Sequence, residues 1–356
     1  MNQERLGRLI RLMEERGIDQ VLLSNDLDLF FYTGAYEPAM ERLRVLLVDR
    51  QATCRYYANE LFALDGKVIC HKDGQELSAL RDLASHLKPG GVVAVDGAWP
   101  SRFLLELLPL APDCRFCPAR ELLSLPMCRK DKGELSLLRR ASQINDLVVD
   151  ELILSITSRS TELGLSQSIH ALYDKHGSDG HSGGALVAFG ANCASPHPQS
   201  RSVCPQPGDS ILIDAGAPYQ RYESDMTRTV FFRDVDRKLE QIYHVVLEAN
   251  MAGIDAVRPG RRAQEVDQIC RSVIEKSGYG PYFTHRTGHG IGLHLHEEPY
   301  ISAASQTILE EGMVFSIEPG IYIPQLGGVR IEDLVAVTSS GVEVLNHLSK
   351  DLRVLE

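Results

Sequence analysis

The chain has little that would suit a membrane, a secreted scaffold or a nucleic acid. None of its 356 residues lie in an apolar run approaching the roughly 18 that a membrane span needs. The opening stretch, MNQERLGRLIRLMEERG, lacks the apolar core of a secretory signal. Cysteine is scarce at eight, too few for a disulfide framework, so reduced thiols in a cytoplasmic protein are expected. Cys114 and Cys117 form a lone CxxC with no second pair at zinc-ribbon spacing. Positive charge is also short. Lys plus Arg is 37 against 48 for Asp plus Glu, a net charge of −11 with His neutral. That balance speaks against wrapping nucleic acid or lying on an anionic membrane. Two catalytic signatures are missing as well. Residue 300, the last position of a would-be H-E-x-x-H starting at His296, is Tyr, and Gly288-His-Gly-Ile-Gly292 is not G-x-G-x-x-G.

What is present is globular: 44% hydrophobic and 24% charged residues, in a chain long enough for two domains. Leu6, Leu9, Ile10 and Met13 repeat at helical spacing, with Gly17 placed to cap. Strand signals follow at Val21–Leu23, Leu43–Val48 and Gly91–Val95, so a small α/β domain is expected over residues 1–125. The polar, breaker-rich stretch from Leu125 to Gly133 marks the boundary, and residues 126–356 form the second domain. There a long helix carries Leu137, Ala141, Ile144, Val148 and Leu152, and a shorter one runs from Thr161 to Gly177. Strands lie between Ala185 and Phe232. Two more helices follow, ending near Pro259 and Gly278, and strands fill the remainder.

This second domain reads as two related halves. Gly208-Asp-Ser-Ile-Leu-Ile-Asp214-Ala-Gly216 aligns with Gly312-Met-Val-Phe-Ser-Ile-Glu318-Pro-Gly320 at a constant offset of 104. Asp225 and Glu332 occupy comparable places further on, at an offset of 107. A hairpin would set Asp214 beside Asp225. Glu332 is expected in a single strand, Val329–Val335, sharing a face with Arg330. Acids in strands this apolar need a cation, hydrogen bonds or a proton, and four of them in duplicated contexts point to a metal site. His285, His289, His294 and His296 cluster within 12 residues, with glycines flanking His289 that allow close approach. If that segment is a strand, His294 and His296 share a face. His197 lies in a Pro-flanked loop, a common place for substrate-binding groups. Carboxylates with one imidazole suit Mn, Co or Zn.

These residues resemble the pita-bread metallopeptidases, in particular the Xaa-Pro aminopeptidases and Xaa-Pro dipeptidases (prolidases). The resemblance rests on Asp214-Ala-Gly-Ala-Pro-Tyr-x-x-Tyr-x-Ser-Asp225-x-Thr227, Thr-Gly-His289-Gly-Ile-Gly-Leu-x-x-His296-Glu, Ile-Glu318-Pro-Gly-Ile-Tyr322 and Gly-Gly-Val-Arg330-Ile-Glu332-Asp. It covers essentially the whole chain. It implies an α/β (α+β) fold, with a small creatinase/prolidase-like α/β domain ahead of a pseudo-two-fold pita-bread catalytic domain. It implies two divalent ions, Mn or else Co or Zn, held by Asp214, Asp225, His289, Glu318 and Glu332, with Asp225 and Glu332 bridging. Glu318 would also take the proton of the bridging water, and the resulting hydroxide would cleave the N-terminal Xaa-Pro bond. His197, His285 and His296 would position substrate, stabilise the tetrahedral intermediate and pass protons, while Arg330 orients site groups. Short proline-containing peptides are the implied substrates and a homodimer the implied assembly. The segment before His197 departs from the family pattern near Gly183, Ser195 replaces a larger apolar residue, and His294 is an extra histidine.

Two other readings compete. A creatinase-like C–N hydrolase uses the same fold without metals, and the complete ligand set opposes it. Gly180-His-Ser182-Gly-Gly184 matches G-x-S-x-G, which would make Ser182 a nucleophile. That motif needs a buried strand before it and a helix after, and here the order is reversed.

Overall fold

A computed structural model describes residues 1–62, 68–180 and 185–356. The Ser182 motif lies outside the described residues. The chain divides into two compact units, Met1–Met127 and Cys128–Glu356.

The first unit alternates helices and strands: α1 (Gln3–Glu15), β1 (Gln20–Leu23), α2 (Asp26–Thr33), β2 (Val45–Asp49), β3 (Cys54–Asn59), β4 (Val68–His71), α3 (Glu76–Ser85), β5 (Val92–Val95), α4 (Ser101–Leu107), β6 (Arg115–Pro118) and α5 (Arg120–Cys128). The strands form one mixed sheet in the order β4-β3-β2-β1-β5-β6. Leu22, Val45, Leu47 and Val93 meet Leu80 and Leu83 of α3 in its core. Cys114 and Cys117 are free thiols, and burial raises the pKa of both.

The stretch expected to carry the boundary, Leu125 to Gly133, begins as helix. Helix α5 continues through Pro126 to Cys128 because Leu122, Leu123 and Met127 are buried along it. Lys130, within the polar stretch that marks the expected boundary, is buried and paired with Glu297.

The second unit contains α6 (Lys132–Leu154), α7 (Glu162–His176), β7 (Leu186–Phe189), β8 (Ser210–Ala215), β9 (Met226–Phe232), α8 (Arg237–Ala256) and α9 (Ala263–Lys276). Then come β10 (Gly288–Gly290), β11 (Glu297–Ile301), β12 (Val314–Ile317), β13 (Gly320–Ile323), β14 (Gly327–Arg330), β15 (Asp333–Val337), β16 (Val342–Val344) and β17 (Val354–Leu355). Local chemistry sets the helix ends. Asp131 and Glu134 form a reciprocal capping box on α6. Thr161 caps α7, which stops at left-handed Gly177. Each half therefore offers two helices and a sheet, as the duplication predicts. The first half carries the sheet β17-β9-β8-β7, and the second carries β11-β10-β12-β15-β16 plus the hairpin β13-β14.

Two local expectations fail. Val329–Val335 is not one strand: β14 pairs with β13, whereas β15 pairs with β12, and the chain changes partner at Ile331-Glu332. Period-2 alternation cannot reveal a change of partner, because both strands stay apolar. Residues 292–296 are bends rather than strand, with the Gly292 amide donating to the His294 carbonyl, so His294 and His296 share no strand face.

Candidate metal centre

Backbone register brings the acids to one place. Asp214 pairs with Thr227 across the β8–β9 ladder, and Asp225 immediately precedes β9. The turn between them closes tightly at Gly216, where a Cβ would lie 1.9 Å from the Ser224 carbonyl oxygen. In the second half Glu318 follows β12, and Glu332 sits in the gap where the chain passes from β14 to β15. The Glu332 amide donates to the Thr227 carbonyl at 3.1 Å, which stitches the halves together. His289 is the middle residue of β10, between β11 and β12. Strand β10 comes so near β12 that a Cβ on Gly288 would lie 1.8 Å from the Ser316 carbonyl oxygen.

The result is a cavity of about 420 Å³. Asp214, Asp225, His289, Glu318 and Glu332 all line it, as do His197, His285, His296 and Arg330, so the nine residues singled out from sequence converge. His294 is not among its lining residues. His289 Nε2 lies 3.6 Å from Asp225 and 3.4 Å from Glu318. Its Nδ1–H donates to the Gly290 carbonyl at 3.1 Å, which leaves Nε2 as the unprotonated atom facing the acids.

Arg330 is fully committed. It donates to Asp214 at 2.5 Å, to Thr227 at 2.9 Å, to the Pro196 carbonyl at 2.9 Å and to the Tyr322 hydroxyl at 3.0 Å. The Thr227 hydroxyl donates a hydrogen bond to Glu332 Oε2 at 2.6 Å. The Tyr322 hydroxyl in turn meets His285 Nε2 at 2.8 Å, and His285 Nδ1–H donates to the Arg286 carbonyl at 2.7 Å. Both nitrogens of His285 are thus engaged, so this residue acts on the cavity through Tyr322 and Arg330.

Electrostatics follow from burial. Desolvation, then the neighbouring carboxylates, pushes Asp225 and Glu332 well above the usual carboxyl range. Glu318 is pushed up to about 7, chiefly by burial. Desolvation lowers His289 to about 3, with His296 adding to it, and lowers His285 to about 4. His296 is lowered too, by burial and then by Arg286. Acids that repel one another beside a neutral imidazole form a donor set that suits a divalent cation, whose charge offsets the repulsion among the carboxylates and favours the same neutral imidazole. One oxygen makes the same point directly: Glu332 Oε1 is buried without a hydrogen-bond partner among the described residues. Ligand atoms of Asp225, His289 and Glu332 all lie within 4.8 Å of one another. The residues present therefore fit a metal.

Sequence reading missed three participants. Thr227 and Tyr322 were quoted within motifs without a role. Thr227 stands two residues beyond Asp225, just inside the strand that Asp225 precedes, and that proximity is the signal that would have found it. Arg286 also lines the cavity, with its guanidinium over the Tyr300 ring at 4.4 Å.

Comparison with known proteins agrees with this geometry. The model of metallopeptidase family M24 matches residues 136–339, and that of the creatinase/prolidase N-terminal domain matches residues 5–125. The Xaa-Pro dipeptidase of Pyrococcus horikoshii is 32% identical over 349 residues, 98% of each chain. A crystal structure of a dipeptidase from the same organism superposes with a TM-score of 0.94 at 36% identity, over 99% of this chain and 100% of that one. The recombinant prolidase of Thermococcus sibiricus gives 0.95 at 30% identity, over 100% and 99%.

Proposed function

The chain belongs to metallopeptidase family M24, and from that premise we propose that it hydrolyses the Xaa-Pro bond of dipeptides, with residues 1–125 as accessory domain and 126–356 as catalytic domain. The observation that carries this reading is the convergence of four acids on the neutral His289 in one cavity, with a buried Glu332 oxygen left unpaired among the described residues.

Asp214, Asp225, His289, Glu318 and Glu332 would hold two divalent ions, with Mn the proposed metal and Co or Zn the alternatives. Bound there, the ions supply Lewis acidity that lowers the pKa of water and polarises a carbonyl. Glu318 accepts the proton of the attacking water, a task open to a carboxylate that lines the cavity beside His289. His296 is neutral and faces the cavity, so its N–H can donate to the oxyanion that develops on the scissile carbonyl. His197 positions the substrate. Arg330 holds Asp214 in place, and His285 fixes Tyr322 beside it.

Substrate length follows from the second guanidinium. Arg330 is spent on four acceptors. Among the described residues, Arg286 makes no side-chain hydrogen bond or ion pair, so its charge is available to a substrate's free carboxylate. In a dipeptide that carboxylate lies on the proline itself. The resemblance also carries a cytoplasmic homodimer, which light scattering of the purified protein tests.

A substrate panel of Ala-Pro, Ala-Pro-Ala and Ala-Ala decides the main point, run on metal-depleted protein and on protein reloaded with Mn, Co or Zn. Ala-Pro should be cleaved, and only after reloading. Equal cleavage by metal-depleted protein overturns the reading.

A further inference from the structure

Two buried side chains outside the cavity repeat with the duplication, and each grips backbone next to a metal-site acid. Asn145 lies in α6 and Asn250 in α8, 105 residues apart, beside acid-bearing strands that repeat at 104. Both are completely buried. Asn is a poor interior helix residue, and burying an amide is costly unless each of its polar atoms is met. Here each one is. The Asn145 amide donates to the carbonyl of Ala215, next to Asp214, at 2.7 Å, while its oxygen accepts from the Tyr173 hydroxyl at 2.6 Å. The Asn250 amide donates to the carbonyl of Ile317, next to Glu318, at 2.9 Å and to that of Ile331, next to Glu332, at 3.4 Å. Its oxygen accepts from Lys350 Nζ at 2.9 Å, and Lys350 is held in turn by Asp333 at 2.8 Å.

We propose that Asn145 and Asn250 are positioning residues that set the spacing of the metal-binding carboxylates, with Asn250 spanning the two acid-bearing segments of the second half. The need is physical. Glu318 and Glu332 repel each other in a low dielectric, and the ladder is interrupted between them where the chain leaves β14 for β15. Only one long backbone bond crosses there among the described residues, from the Ile331 amide to the Pro319 carbonyl at 3.4 Å, and a single side-chain amide bonded to both flanking carbonyls reinforces it. In the first half one carbonyl is held instead of two, and Asp214 itself pairs within the β8–β9 ladder, opposite Thr227, whereas Glu318 lies one residue beyond the β12–β15 ladder. Outer-shell groups of this kind typically change metal affinity about 10–100-fold.

The inference rests on the proposed metal ligands, and the test separates the two. Mn²⁺ is titrated calorimetrically into metal-depleted wild type, Asn250→Asp, Asn250→Ala and Asn145→Ala, and the unfolding temperature of each metal-free protein is recorded. Asn250→Asp should weaken Mn²⁺ binding about 10–100-fold and Asn145→Ala less, by more than any change in metal-free stability accounts for. Lys350→Met keeps the amide and removes its anchor together with the Asp333 ion pair, so it serves if the Asn250 variants do not fold, and a smaller weakening is expected. Wild-type affinity in folded variants with a lowered unfolding temperature would mark a purely structural role and overturn the inference. If wild type itself takes up no Mn²⁺, the metal reading falls and the inference with it.

Discussion

The two halves of the catalytic unit start from the same plan and end with different burdens. In the first, β8 and β9 form one continuous ladder, and Asp214 faces Thr227 within it. In the second, the longer β13–β14 hairpin lies between Glu318 and Glu332 where the first has only the short Tyr219–Tyr222 bridge, an insertion beyond which the β12–β15 ladder begins at the Ile317–Asp333 pair. The insertion lengthens the interval between the acids from 11 residues, Asp214 to Asp225, to 14 residues, Glu318 to Glu332. That hairpin carries Tyr322 and Arg330, and Arg330 reaches across to Asp214 of the other half. Both cavity arginines, Arg286 and Arg330, come from the second half, while the first contributes Asp214, Asp225 and His197. Duplication thus explains the paired acids, and the departure from it supplies Arg330.

The largest expected effect tests whether the halves are equal where they are alike. Asp225→Asn and Glu332→Gln remove the charge of equivalent acids without changing shape. Each should abolish divalent-metal uptake and reduce Ala-Pro hydrolysis to background, as measured by metal analysis and by proline release. A variant that keeps full metal content and activity would break the equivalence. Glu318→Gln should act differently, lowering kcat about 10²–10⁴-fold through loss of the proton acceptor.

The acids were legible because strands so apolar give carboxylates no routine place, and because the offset of 104 repeated the anomaly. The histidine cluster was legible for a similar reason, since glycines around His289 serve close approach rather than strand propensity. The supporting layer was hidden. Asn145 and Asn250 sit at interior helix positions where a lone polar residue looks unremarkable, and only their own offset of 105 sets them apart. Lys130 read as part of the polar stretch at the boundary because its partner, Glu297, is 167 residues away. The break at Ile331-Glu332 was invisible because a change of sheet partner leaves no trace in alternation. Composition and period report what a residue is and which way it faces, but a partner distant in sequence is known only from the fold.

The next effect concerns the join between the halves. Lys130, just ahead of α6, is buried against Glu297 at the start of β11, and its amide donates to the Gly312 carbonyl at 2.8 Å. Glu297→Gln leaves the ammonium buried without its counter-charge and should cost about 3–5 kcal/mol. Replacing both partners, as Lys130→Met with Glu297→Leu, removes the unpaired charge and should recover most of the loss. Urea unfolding measures both. If the double variant is no more stable than Glu297→Gln alone, the pair contributes something other than charge compensation.

The smallest effect sharpens the asymmetry in positive charge. Arg330 and Arg286 both line the cavity, but their commitments differ: four acceptors against one aromatic face. A guanidinium stacked on Tyr300 keeps its N–H edge for a carboxylate, because cation–π contact uses the face and hydrogen bonding uses the rim. Arg286→Gln should therefore weaken binding of substrates that end in a free carboxylate, by about 1.5–3 kcal/mol, on the order of ten- to hundredfold in kcat/KM. The loss should appear in KM with kcat retained, since the interaction is made equally before and during the reaction. Arg286→Lys should recover part of it as a point charge without the fork. Comparing Ala-Pro with Ala-Pro-amide separates this from a packing effect. Wild type should prefer the free acid and Arg286→Gln should not, whereas a packing defect at Tyr300 would slow both substrates alike and leave the preference intact.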